Sequence, residues 1–218
     1  MNVRLMEKEG FASLFLRLRA AGIADTAILT AIEQTPRTLF HSAAYADAVY
    51  QDRLLPTDCG GFAESADMVA RVLGAAAIEP GHRVLDIGTG SGFLAAVAAR
   101  LAERVITVDR YRTLTQLAQQ RFAHLGLGNV IVRQLDGLKG VSGEGNFDRI
   151  IATCVFDSMP RQFVDQLASG GIMLAPIARE DGGRARMARL TKIGSRFDRL
   201  DLFEVPYHGF IAGTAAAL

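Results

Sequence analysis

Cysteine is scarce in this 218-residue chain. There are two, Cys59 and Cys154, far apart and neither in a CxxC pair. With no apolar leader in residues 1–10, they read as reduced thiols rather than a disulfide framework. No stretch approaches the roughly 18 consecutive apolar residues of a membrane helix, so no membrane partner is expected. The histidines, His41, His82, His124 and His208, are scattered without ligand spacing, and no metal is expected. A charge excess is missing too. Lys plus Arg total 24 and Asp plus Glu 23, which leaves no global basic field for nucleic acid. Arginines gather between Arg179 and Arg199, but Asp181, Asp198 and Asp201 match them, as on solvated strands. Internal repeats and low-complexity linkers are absent. What remains is a cytoplasmic chain of ordinary domain size, half hydrophobic and able to bury a core without staples.

Two textures are present. Residues 1–79 read as helices and loops packed on the rest. Leu5, Phe11, Leu14, Phe15 and Leu18 recur at helical spacing over Arg4–Ala21. Asp25 caps a short helix that stops before Pro36, Pro56–Gly61 is a loop, and Ser65–Ala77 is a further helix. Residues 80–218 alternate strands and helices. The strands are Arg83–Asp86, Arg104–Asp109, Asn129–Arg133, Phe147–Thr153 and Gly171–Pro176. The helices are Gly92–Leu101, Thr113–Leu125 and Pro160–Leu167. Such alternation predicts right-handed βαβ units and a mostly parallel, Rossmann-like sheet, one structural domain overall. Arg186–Thr191 and Phe197–Val205 flank the short turn Lys192–Ser195, so the sheet ends in an antiparallel hairpin. Residues 212–218 read as a loose tail.

The run from Asp86 to Gly92, Asp-Ile-Gly-Thr-Gly-Ser-Gly, follows a strand and opens a helix. Gly88, Gly90 and Gly92 allow a tight turn and a close ligand, and the helix start offers free N–H groups. Asp109 ends the next strand about 20 residues after Gly88, the spacing of a carboxylate that accepts from ribose hydroxyls. The glycine pattern differs from the dinucleotide GxGxxG. Asp86, two residues before it, suits a cation such as the ammonium and sulfonium of S-adenosylmethionine better than a diphosphate. Thr89, Ser91 and Arg110 complete the candidate cofactor set. Asp136-Gly137, after the third strand, is placed to reach an adenine edge.

The chain resembles the protein-L-isoaspartate O-methyltransferases over almost its whole length. The resemblance rests on Leu18–Ile23, Thr35–Phe40, Tyr50–Pro56, Arg83–Gly92, Phe147–Thr153, Gly170–Pro176 and Glu204–Pro206, in order and spacing. It implies an S-adenosylmethionine-dependent methyltransferase acting on isoaspartyl residues of damaged proteins, as a repair step. A carboxylate is already ionised near neutral pH, so the site mainly has to align it out of water.

Two segments depart from the family pattern. Its substrate loop reads close to G-x-G-x-T-I-S-x-P. Here Gly60 fits, Phe62 stands for the threonine, Ala66 for the proline, and Glu64 for the serine to which the family's catalytic role is assigned. Cys59 lies in this loop, and Ser65 would need a one-residue slip to replace the serine. An ionised Glu64 repels an incoming carboxylate. After the fourth strand, Thr153 and Pro160 match the family, but Val155 and Phe156 are bulkier and are expected to narrow the acceptor pocket. Two alternatives therefore stand beside the family reaction: a methyltransferase of the same ancestry with a different acceptor, or a non-catalytic S-adenosylmethionine-binding protein.

Overall fold

The computed structural model describes residues 3–217, with side chains from residue 7 onward. The side chain of Leu5 and residue 218 therefore lie outside the described residues. Three helices precede the sheet: α1 (Val3–Ala20), α2 (Thr26–Glu33) and α3 (Ala66–Ala76). Asp25 caps α2 by accepting from the amides of Ala27 and Ile28 at 2.9 and 3.2 Å. Between α2 and α3 a minimal hairpin pairs β1 (Leu55–Pro56) with β2 (Phe62–Ala63).

Seven strands follow: β3 (Arg83–Ile87), β4 (Arg104–Asp109), β5 (Val130–Gln134), β6 (Phe147–Ala152), β7 (Leu167–Ile177), β8 (Arg186–Ile193) and β9 (Arg196–Glu204). Helices α4 (Phe93–Ala99) and α5 (Arg112–His124) connect β3 to β4 and β4 to β5. The spatial order is β5-β4-β3-β6-β7-β8-β9, parallel from β5 through β7 and antiparallel thereafter. Burial explains the order. Strands β3 and β4 are nearly continuous apolar runs with both faces covered, so they sit centrally. Strand β9 carries Arg196, Asp198, Arg199 and Asp201, is largely exposed, and closes one edge.

One apolar cluster joins Leu14, Leu18, Ile32 and Leu73 to Val84 and Phe93. The helical extension is thereby packed on one face of the sheet. A second cluster, including Leu85, Ile106, Ile150, Phe163 and Met173, fills the other face. Strand β3 has β4 on one side and β6 on the other. The chain reverses its winding there, which opens a crevice beyond the carboxyl end of β3.

Three expectations are corrected. Pro160–Leu167 is not an α-helix; a 3-10 turn over Arg161–Gln166 runs directly into β7. The final turn is only Gly194-Ser195, because β8 extends through Lys192 and Ile193 of the expected four-residue turn, and β9 begins at Arg196. The C-terminal tail is tied down rather than loose. Ala215 accepts from the Arg112 amide at 3.0 Å, and Ala216 from the Thr113 amide at 3.1 Å.

Candidate active site

Everything at the crevice follows from the end of β3. Asp86 projects from a fully covered strand and is 1 % exposed. Thr107 on the neighbouring β4 donates to its Oδ2 at 2.6 Å, and Thr107 is itself 2.6 Å from the Thr89 hydroxyl. Oδ1 of Asp86 is buried and has no partner. Burial is the main force raising the Asp86 carboxyl, to about 8, with Glu64 and Asp109 adding repulsion against the Thr107 bond.

The glycine loop folds back on the sheet. Gly88, Gly90 and Gly92 have φ of +101°, +52° and +88°. A side chain at Gly88 would place its Cβ 2.5 Å from Oγ1 of Thr153. Thr153, expected in the substrate region, braces this loop: its hydroxyl donates to the Gly88 carbonyl at 3.1 Å. Four of the loop amides are engaged. Those of Gly88 and Thr89 donate to the Val108 carbonyl, that of Gly92 to the Thr89 carbonyl, and that of Gly90 to Oδ2 of Asp109 at 2.9 Å. Ser91 uses its carbonyl to hold Arg121 and its hydroxyl to accept from Phe93. With those four amides occupied, the turn itself offers fewer N–H groups to a diphosphate.

Asp109 ends β4 and also accepts from the Tyr111 amide at 3.0 Å. Each bond uses one oxygen, leaving lone pairs on both for ribose hydroxyls. Burial raises this carboxyl while the Tyr111, Gly90 and Arg110 amides oppose the rise. Asp109 and Arg110 line a cleft of about 600 Å³ with Gly88 and Gly137, and Phe210 and Ile211 close it from the C-terminal segment. Gly137 fits tightly, since a Cβ there would meet Ile87 at 2.6 Å. Asp136 does not face this cleft. Its carboxylate accepts from the Leu138 amide at 3.1 Å and from the Gly213 amide at 2.8 Å, one bond on each oxygen, and so clips the C-terminal strap.

The substrate loop is anchored from beneath. Cys59 adopts a left-handed conformation beside Gly60, at φ of 60° and 65°, and so turns the chain between β1 and β2. Ser65 is committed elsewhere: it caps α3 through the Met68 amide and donates to Asp52 at 2.6 Å. It does not stand in for the family serine. Glu64 is half-buried, and burial raises its pKa against the pull of Arg37. Arg37 is wholly buried. It donates to the Glu64 carbonyl, stacks 4.6 Å over the Phe93 ring, and is lowered to about 10 by burial. The Tyr207 phenol oxygen is buried without a partner, and the charges of Glu64 and Asp86 join burial in raising it.

Phe156 stacks on Phe210 and meets Phe163 edge-on within the core, and from this segment the cleft is lined by Cys154 alone. The Cys154 thiol is pushed up by burial first and by Asp86 and Asp109 next. Sequence reasoning missed Arg37, Tyr207, Phe210 and Ile211. A buried arginine between Pro36 and Phe40 carried a family signal but no spacing to a site, and the strap residues carried none.

Among the described residues no group of acidic, histidine or cysteine side chains is arranged to hold a metal, and no helix is long and apolar enough to cross a membrane. Residues 9–208 match the family model for protein-L-isoaspartate(D-aspartate) O-methyltransferase. A protein-L-isoaspartate O-methyltransferase of Rhizobium meliloti (strain 1021) is 51 % identical over 203 residues, covering 93 % of this chain and 99 % of the relative. A solved protein-L-isoaspartate O-methyltransferase superimposes with a TM-score of 0.81 at 26 % identity, covering 94 % of this chain and 67 % of its own. A Plasmodium falciparum structure of the same description, in complex with S-adenosyl-L-homocysteine, superimposes at 0.79 with 22 % identity, over 91 % and 97 % of the two chains, and shares the fold. The chain belongs to the protein-L-isoaspartate O-methyltransferase family and is an S-adenosylmethionine-dependent methyltransferase.

Proposed function

We propose that this chain methylates the side-chain carboxylate of L-isoaspartyl residues in damaged proteins and peptides, in the cytoplasm, without nucleic acid or membrane partners. The observation that carries this reading is the buried, unpartnered oxygen of Asp86 beside a glycine loop whose Gly88, Thr89, Gly90 and Gly92 amides are occupied. That pairing suits a cationic adenosyl ligand and disfavours a phosphate. Asp86 would face the ammonium and sulfonium end, Asp109 the ribose, and Gly88, Arg110 and Gly137 the cleft walls. Thr89, Gly90, Ser91 and Gly92 would act through loop shape. When bound, S-adenosylmethionine supplies a methyl group on a good leaving sulfur.

The chain's own residues do the rest by holding and shielding. Phe210 and Ile211 of the strap form one wall of the cleft, an apolar surface beside the bound cofactor. Glu64 supplies what the family's serine supplies. Its carboxyl is favoured in the neutral form by burial, and a neutral carboxylic acid donates a hydrogen bond. A neutral Glu64 therefore orients an incoming carboxylate that an ionised one would repel. Arg37 fixes the peptide of Glu64 and so positions that donor. Tyr207 offers a second neutral hydroxyl nearby. Residues 1–79 and 80–218 act as one unit, because the acceptor loop comes from the first and the cofactor loop from the second.

Incubation with methyl-labelled S-adenosylmethionine and an isoaspartyl peptide tests the reading. A base-labile methyl ester on the isoaspartyl peptide, absent from its aspartyl isomer, is the expected result. No ester on either peptide rejects it.

A further inference from the structure

The half of the substrate loop that differs most from the family pattern carries an exposed aromatic ring. Phe62 is 51 % exposed, although it sits in the short strand β2 beside the buried Ala63. Its ring lies 5.8 Å from the His208 imidazole, tilted by 33°. His208 is held in turn by the segment that follows β6, its carbonyl accepting from the Val155 amide at 2.8 Å. The next residues of that strap are Gly209, Phe210 and Ile211, which line the cofactor cleft, and Ile211 is 60 % exposed. Phe62 and His208 thus join the two segments that frame the mouth: the substrate loop carrying Glu64 and the strap carrying Ile211.

A large apolar ring left half in water on a loop of two-residue strands adds nothing to the core. Covering its exposed face is favourable, and aromatic anchors dominate recognition when they become fully covered. Its backing by His208 fixes the ring, so little rotamer freedom is lost on contact. The acceptor of this reaction is a peptide, whose side chains beside the isoaspartyl residue must pass the mouth. We infer that Phe62, backed by His208, is a specificity-determining residue that selects acceptors with an apolar or aromatic side chain adjacent to the isoaspartyl residue. This rests on the isoaspartyl reading above.

The test is a panel of isoaspartyl peptides in which the residue on either side is Phe, Leu, Gly or Asp, assayed for methyl ester by steady-state kinetics. Wild type is expected to show kcat/KM about fivefold or more higher for a Phe or Leu neighbour than for Gly, carried by KM. F62T is expected to bring that ratio to within about twofold of unity, and F62L to keep part of it, while the Kd for S-adenosyl-L-homocysteine changes by less than about twofold. H208A, which removes the backing and leaves the ring, is expected to lower the ratio as well. A wild-type panel without neighbour preference, or an F62T panel with the preference intact, overturns this inference while leaving the isoaspartyl reading in place. Absence of ester from every peptide overturns both.

Discussion

Thr107 donates to Oδ2 of Asp86 at 2.6 Å, and the other oxygen of the same carboxylate meets no donor at all. A side chain so placed is poorly solvated and half satisfied, and it costs the empty fold stability whenever it is ionised. The geometry makes sense for a group whose remaining oxygen faces a ligand cation.

The stability of the cofactor-free chain should report this directly. The folded carboxyl sits at about 8, above the usual value near 4 of an unfolded chain. Its favourable contribution is complete below about pH 4 and is lost as pH rises through about 8. Thermal melting of wild type is expected to fall across that window relative to D86N, and D86N is expected to melt higher at pH 8. Parallel curves for the two proteins contradict the assignment.

Glu64 separates the two chemistries its position allows. If it donates as a neutral acid, E64Q and E64S keep donors and retain activity within about tenfold on an isoaspartyl peptide, whereas E64A loses about 100-fold. Wild-type kcat/KM should fall as pH rises past the elevated Glu64 pKa, and the E64Q profile should lack that fall. If Glu64 were instead a general base for an amine or hydroxyl acceptor, E64Q would be the dead variant and the wild-type rate would rise with pH.

Gly88 tests the loop. Its φ of +101° and the 2.5 Å approach of a Cβ to Thr153 make G88A strained twice over. S-adenosyl-L-homocysteine affinity is expected to fall by at least about tenfold, with a loss of 1–3 kcal/mol or so of stability. G143A, with positive φ but nothing within 4 Å, should cost stability alone. Equal cofactor affinity in both variants would show that the loop tolerates a side chain at its turn.

Arg37 contributes through the loop peptide. R37M leaves the Glu64 carbonyl without its buried donor. Acceptor KM is expected to rise about tenfold with cofactor Kd little changed. R37K, which restores a donor and a charge, should recover part of it. Loss of cofactor affinity in R37M equal to the loss in acceptor KM would place Arg37 elsewhere in the mechanism.

The sheet was readable because β3 and β4 are apolar runs of strand length bounded by turn residues, and β4 falls on Arg104–Asp109 as expected from them. The cofactor region was readable because positive-φ glycines and strand-end carboxylates are local signals. Asp136 is ambiguous in sequence, since an Asp-Gly turn looks the same whether its carboxylate meets a ligand or the Gly213 amide 77 residues away. Phe156 is ambiguous in a similar way: bulk in a loop has the same sequence signature whether it faces a pocket or stacks on a distant ring, as it does on Phe210. The strap and Tyr207 were invisible because their positions depend on long-range hydrogen bonds to Val155, Asp136 and Arg112 that no periodicity encodes.

Calorimetric titration of the wild-type chain with S-adenosylmethionine at pH 7, in two buffers of different ionisation enthalpy, tests the cofactor site most directly. Asp86 is mostly protonated there before binding and must ionise to face a cation, so saturable one-to-one binding should release about one proton, and D86N should bind weakly with release abolished. Saturable binding with no buffer dependence, or no saturable heat at all, would contradict the account.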